Sequence, residues 1–172
     1  AICASAGASG WTWRLGSRSA LFNEIRDPKT FHLTYYGGSK CADGGCQSSP
    51  EQRKRIYVLG DSHAKAFYAG LSESFPSINF VFFAANSCPL FSMTYIAASA
   101  PGAEMCKSTK AKAYAEIKAK PSDVILIQNW SMYSYGMKTA DDVRLKFHND
   151  AIFAAFAADQ LSEMKATILP KN

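Results

Sequence analysis

The stretch Arg55-Ile-Tyr-Val-Leu-Gly-Asp-Ser-His-Ala64 decides the fold. Arg55 to Gly60 is a short β-branched and aromatic run closed by glycine, which reads as a buried strand. Asp61-Ser62-His63 follows as a turn. Ala64 to Phe75 then places Ala66, Phe67, Gly70 and Leu71 at helical spacing, and Pro76 stops the helix. A serine at a strand-to-helix turn lies where unpaired helix N–H groups and the positive end of the dipole point. Those groups can stabilise the oxyanion formed when a serine hydroxyl attacks an ester carbonyl. The competing reading is that Asp61 or Ser62 merely caps a helix.

Outward from this stretch the pattern repeats. Ile78 to Ala84 reads as a second strand and Asp123 to Gln128 as a third. Between them, Lys107 to Lys120 carries Ala111, Tyr114, Ala115 and Lys118 at helical spacing, ended by Pro121. Asn129 to Gly136 reads as a loop rich in Trp, Tyr and Ser. Asp141 to Lys165 reads as a long helix with Val143, Phe147, Ala151, Ala154 and Ala158 along one stripe. Ala166-Thr-Ile-Leu-Pro170 is expected to begin a fourth strand. Strands alternating with helices predict an α/β fold, a parallel sheet with right-handed crossovers between helical layers. Its ligands belong outside the carboxyl ends of the strands. Residues 1–54 lack either periodicity but hold Trp11, Trp13, Phe22, Phe31, Tyr35 and Tyr36, so they are expected to form an irregular arm packed on a domain spanning 55–172.

At 172 residues the chain has room for one domain. A net charge of +5 is too weak to imply nucleic acid. No apolar run reaches the roughly 18 residues a membrane span needs. Lys107, Lys110, Lys112, Lys118 and Lys120 gather on one predicted helix, as a solvated face or as a site for anionic glycan or phospholipid headgroups.

Five cysteines speak about compartment. The simplest pairing is Cys41 with Cys46 and Cys88 with Cys106, which implies an oxidising environment. Reduced thiols or a zinc site are the alternatives; the absence of any Cys-x-x-Cys pair disfavours zinc, and no metal is expected. Cys3 is left over.

Val58-Leu-Gly-Asp-Ser-His-Ala64 resembles the first block of the SGNH, or GDSL, hydrolase superfamily. More narrowly, the chain resembles the SGNH domain fused to acyltransferase-family-three membrane proteins, which O-acylate bacterial surface glycans. Gly10-Trp-Thr-Trp-Arg14 looks like the segment leaving a last membrane helix. Phe31-His32 and Tyr35-Tyr36-Gly37-Gly38 look like the linker that follows. Ser87-Cys88-Pro89-Leu90 resembles the second block, with Cys106 fitting its disulfide partner, and Asp123 to Trp130 resembles the third region.

The resemblance implies a three-layer α/β/α, flavodoxin-like domain in the periplasm, tethered to the inner membrane. It implies Ser62 as nucleophile, its own N–H as one oxyanion donor and the backbone around Ser87 as a second, where the superfamily often has glycine. Asn129 stands near the third-block asparagine and would be a further donor. Asp61, His63 and Trp130 would wall the site, although core packing explains Trp130 equally well. The Trp130–Tyr135 stretch would keep water from the acyl-serine. The acceptor implied is a surface polysaccharide such as lipopolysaccharide O-antigen. The partner implied is an integral-membrane domain of the same polypeptide, which would use an acyl donor such as acetyl-CoA; the SGNH domain itself needs no cofactor.

A serine needs a base near neutral pH. The superfamily takes it from an Asp-x-x-His block, and none occurs among these residues. The expectation is that the C-terminal part of the domain, with that block, lies beyond Asn172. His63 adjoins Ser62 and reads as a wall or helix-start residue, His32 falls in the arm, and His148 reads as a half-buried structural residue of the long helix. Two rivals follow: an esterase that deacetylates carbohydrate, and a catalytically incomplete glycan-binding or assembly module.

Overall fold

The computed structural model describes residues 41, 44–97, 103–139 and 141–168. In chain order the elements are β1 (Cys46–Gln47), β2 (Arg55–Gly60), α1 (Ser62–Ala66), α2 (Tyr68–Ser74), β3 (Asn79–Ala84), β4 (Tyr95–Ala97), α3 (Ala103–Ala119), β5 (Asp123–Ile127), α4 (Trp130–Ser134), β6 (Met137–Thr139), β7 (Arg144–Leu145) and α5 (Asp150–Ile168). The main sheet has the order β1-β3-β2-β5. Strands β3, β2 and β5 run parallel, as the βαβ pattern requires, while β1 pairs antiparallel along the edge of β3. The sheet is therefore mixed, and Cys46–Gln47, read with the arm in the sequence, belongs to it. Residues 1–40 of that arm lie outside the described residues.

Strand alternation sorts the core into two faces. Val58, Phe80, Phe82 and Ala84 pack with Ala64 and Tyr68 of α1 and α2. Tyr57, Leu59, Val81 and Phe83 pack with Ala113, Tyr114 and Ile117 of α3 and with Phe153, Ala157, Met164 and Ile168 of α5. That gives the three α/β/α layers. Disulfides Cys41–Cys46 and Cys88–Cys106 tie β1 to its preceding loop and α3 to the loop after β3.

Several expected elements differ. The helix expected over Ala64–Phe75 starts earlier, at Ser62, because Asp61 caps it, and breaks at Phe67, which is 52% exposed. A second, antiparallel sheet of order β4-β6-β7 occupies chain read as loop and helix. Asp142, at φ 61°, turns the chain between β6 and β7. The long helix therefore begins at Asp150, not Asp141, and Asn149 Oδ1 accepts its Ile152 N–H as a cap. Its buried stripe is Phe153, Ala157, Met164 and Ile168; Ala151, Ala154 and Ala158 face solvent. The fourth strand expected from Ala166 is absent through Ile168: Ala166–Ile168 forms the last turn of α5, since burying Ile168 extends the helical stripe by one turn.

Candidate active site

Gly60 ends β2 opposite Ala84 of β3 and Ile127 of β5, so three parallel strands finish side by side. The residues leaving them are Asp61–Ser62, Ala85–Ser87 and Gln128–Asn129, which meet at the carboxyl edge of the sheet. Only glycine fits at position 60. A Cβ there would run into the Ile127 carbonyl oxygen and lie 2.6 Å from the Ala64 Cβ.

Asp61 is fully buried and accepts from donors on two separate segments of the chain. Its Oδ1 accepts the His63 N–H at 2.8 Å, and His63 Nδ1 lies 3.2 Å from the same oxygen, a contact that puts a proton on Nδ1. Its Oδ2 accepts the Asn129 N–H at 2.7 Å and the Tyr133 hydroxyl at 2.8 Å. A buried carboxylate needs such a set of donors to offset its lost hydration. Burial, and then the Asp61 charge beside it, pushes the Tyr133 phenol far above its ordinary range and holds it as a donor.

Ser62 opens α1 and is half-buried. The His63 N–H is taken by Asp61 Oδ1 and the Ala64 N–H by the Asp61 carbonyl. Among the described residues, the Ser62 hydroxyl and N–H take no hydrogen bond. Ser87 adopts φ 56°, the left-handed conformation that glycine reaches without cost. Serine thus holds at position 87 a backbone shape that carries a steric cost for any residue with a Cβ. The Ser87 carbonyl accepts from Ala97 N–H at 3.4 Å, and its Oγ faces Met132 Sδ at 4.0 Å.

Asn129 caps α4. Its Oδ1 accepts from Met132 N–H at 3.2 Å and from Ser131 Oγ at 2.8 Å. With Oδ1 so held, the amide nitrogen keeps both donors without a partner among the described residues. Trp130 is 37% exposed and packs on Phe91, ring centroids 4.8 Å apart, and on Phe153 at 6.4 Å. Of the two roles expected of it, packing is the one these contacts show.

The stretch expected to shield the site is a short helix instead of a loop. Tyr133 points inward to Asp61, while Tyr135 is 87% exposed. His148 lies before α5 and is exposed, so it is neither helical nor half-buried. His32 lies outside the described residues. His63 contacts the neighbouring carboxylate and leaves 46% of its side chain exposed. Of the five lysines expected on one helix, four lie on α3 and Lys120 just past its end; Lys110 is buried at 2% exposure and the other four are exposed. Tyr133 was read only as part of the shielding stretch; its bond to Asp61 was missed, because a spacing of 72 residues carries no local signal.

Comparison with known proteins bears on this arrangement. The family description "SGNH domain (fused to AT3 domains)" matches residues 29–170. No curated protein and no solved structure matches the chain. With a Gly-Asp-Ser-His turn at the carboxyl edge of a largely parallel sheet and a match over most of its length, the chain belongs to the SGNH domain family whose members are fused to AT3 domains.

Proposed function

We propose that this domain transfers an acyl group, most simply acetyl, to a hydroxyl of a bacterial cell-surface carbohydrate such as lipopolysaccharide O-antigen, through an acyl-Ser62 intermediate. The observation that carries this reading is the unengaged Ser62 hydroxyl and N–H, on a turn that the Asp61 hydrogen bonds fix to His63 and to the Asn129 backbone. Ser62 Oγ would attack the acyl carbonyl. Negative charge on that oxygen would be received by the Ser62 N–H, the backbone at Ser87 and Asn129 Nδ2. The donor's leaving group departs with a proton, and acyl-Ser62 remains. A sugar hydroxyl then attacks the ester, takes the acyl group and returns the proton to Ser62.

The acyl donor, acetyl-CoA in the simplest case, would be used by a membrane acyltransferase domain of the same polypeptide on the other side of the inner membrane. Two disulfides fit a domain that matures in the oxidising periplasm. Among the described residues no helix is long and apolar enough to cross a membrane.

A glycan-binding module is the second reading, favoured by one observation: no imidazole is hydrogen-bonded to Ser62 among the described residues. Ser62→Ala in the membrane-tethered protein separates the two. Because the hydroxyl makes no hydrogen bond, the variant should fold with unchanged stability. Surface acylation should fall by about 10³-fold or more; acylation at the wild-type level would favour the binding module. Free acetate released without a glycan acceptor, at the rate seen with one, would identify an esterase.

A further inference from the structure

A cavity of about 260 Å³ opens beside α3, bounded by β4 and by the end of β6, away from the Ser62 turn. Lys107 and Lys110 line it from α3, Thr94 and Ile96 from the β4 side, and Thr139 and Asp141 from the β6 end. Lys110 is 2% exposed and donates to the Tyr95 carbonyl at 2.5 Å. An ammonium has three donors. The remaining two on Lys110 have no acceptor among the described residues, and neither Lys107 nor Asp141 forms an ion pair there. The cavity thus holds two amines against one carboxylate, with a free Thr94 hydroxyl and the apolar Ile96 side chain beside them. A buried amine with two unused donors facing an open cavity is costly unless something supplies oxygen atoms.

We propose that this cavity is a subsite for a carboxylate-bearing sugar residue, with the Lys110 ammonium receiving the carboxylate. Thr94 and Thr139 would meet ring hydroxyls, and Ile96 an apolar ring edge. The volume suits one monosaccharide unit. Strand β4 joins the subsite to the catalytic edge: Ile96 lines the cavity, and the next residue, Ala97, donates its N–H to Ser87. The inference rests on the acyl-transfer reading for its choice of a glycan, and it names that glycan as acidic.

Burial lowers the Lys110 ammonium to about 7. Near neutral pH the amine is therefore often uncharged when the cavity is empty, and an incoming carboxylate must restore the proton. Affinity should be greatest below about pH 7 and fall towards tenfold for each pH unit above it, while the carboxylate itself stays ionised.

The test is titration of the chain with D-glucuronate, D-glucose and inorganic phosphate at pH 6 and pH 8, by calorimetry or by amide shifts. Glucuronate should bind at pH 6, at least tenfold more weakly at pH 8, and at least tenfold more weakly to Lys110→Met. A second variant, Ala103→Trp, fills the cavity from the first turn of α3 while keeping the lysine at position 110, and should also lose binding. Glucose binding as tightly as glucuronate, or glucuronate binding untouched in both variants, overturns the proposal. Phosphate binding as tightly as glucuronate also overturns it, since the site would then recognise charge without sugar. No acyl transfer enters the measurement. If glucuronate fails to bind while Ser62→Ala abolishes surface acylation, the subsite falls and the transfer reading stands; if glucuronate binds and Ser62→Ala is silent, the reverse holds.

Discussion

The Tyr133 hydroxyl donates to the Asp61 carboxylate at 2.8 Å, inside the protein. This bond fastens α4 to the turn that presents Ser62. Tyr133→Phe should keep the ring packing against Phe91 and lose only the bond. A hydrogen bond to a charged group contributes about 1.5–3 kcal/mol. Chemical denaturation should show a loss of that order with an unchanged m-value. Asp61→Ala strips several donors of their acceptor at once and should cost more, about 3 kcal/mol or above.

Ser87→Gly should preserve the turn and remove the steric cost of a side chain at φ 56°. That cost is about 1–2 kcal/mol, partly offset by the greater freedom of glycine in the unfolded chain. The variant should melt at the wild-type temperature or slightly above, with acyl transfer intact. Ser87→Val, β-branched at the same backbone angles, should melt lower.

Gly60→Ala should be among the most damaging single changes, because the new methyl meets the Ile127 carbonyl and the Ala64 side chain. Either β5 or α1 must then move. A loss of about 3 kcal/mol or more is expected, visible as poor soluble yield or a much lower denaturation midpoint.

The two disulfides should differ in weight. Cys88–Cys106 spans 18 residues and Cys41–Cys46 only 5. Loop-closure entropy assigns the longer loop about 3 kcal/mol and the shorter about 2 kcal/mol. Replacing each pair by alanine and comparing denaturation curves tests the ranking.

Lys110 gives stability a pH signature. Its folded value, about 7, lies below the ordinary 10.5. Between those values the unfolded chain binds the extra proton, so unfolding stability from this residue rises with pH, by up to about 1.4 kcal/mol per unit. Below about pH 7 both states are protonated and the contribution is flat. Lys110→Met should flatten the rise between pH 7 and pH 10.

Much of this was legible in the sequence because short-range patterns carried it. The run Arg55–Gly60, the turn at Ser62, the strands at Ile78–Ala84 and Asp123–Gln128 and the Cys41–Cys46 pair all announce themselves within a few residues. What failed depended on distant partners. Val143 and Phe147 fit a helical stripe, yet Arg144–Leu145 pairs with Met137–Lys138, and Asn149 supplies the cap that starts α5 later. The run Ala166–Leu169 has strand composition, but Ile168 finds its burial one turn beyond Met164 on the helix. At the site, Ser62 and Asp61 stood out by motif. The Asp61–Tyr133 bond and the burial of one lysine among five depended on the third dimension alone.

The carboxylate of Asp61 has room for about four hydrogen bonds, and His63, with two nitrogens, Asn129 and Tyr133 claim them all. A division of labour follows. This aspartate serves as a keystone for the loop that carries Ser62 and has no lone pair left to orient a further imidazole there. On the acyl-transfer reading, a base for that serine would need an acidic escort of its own.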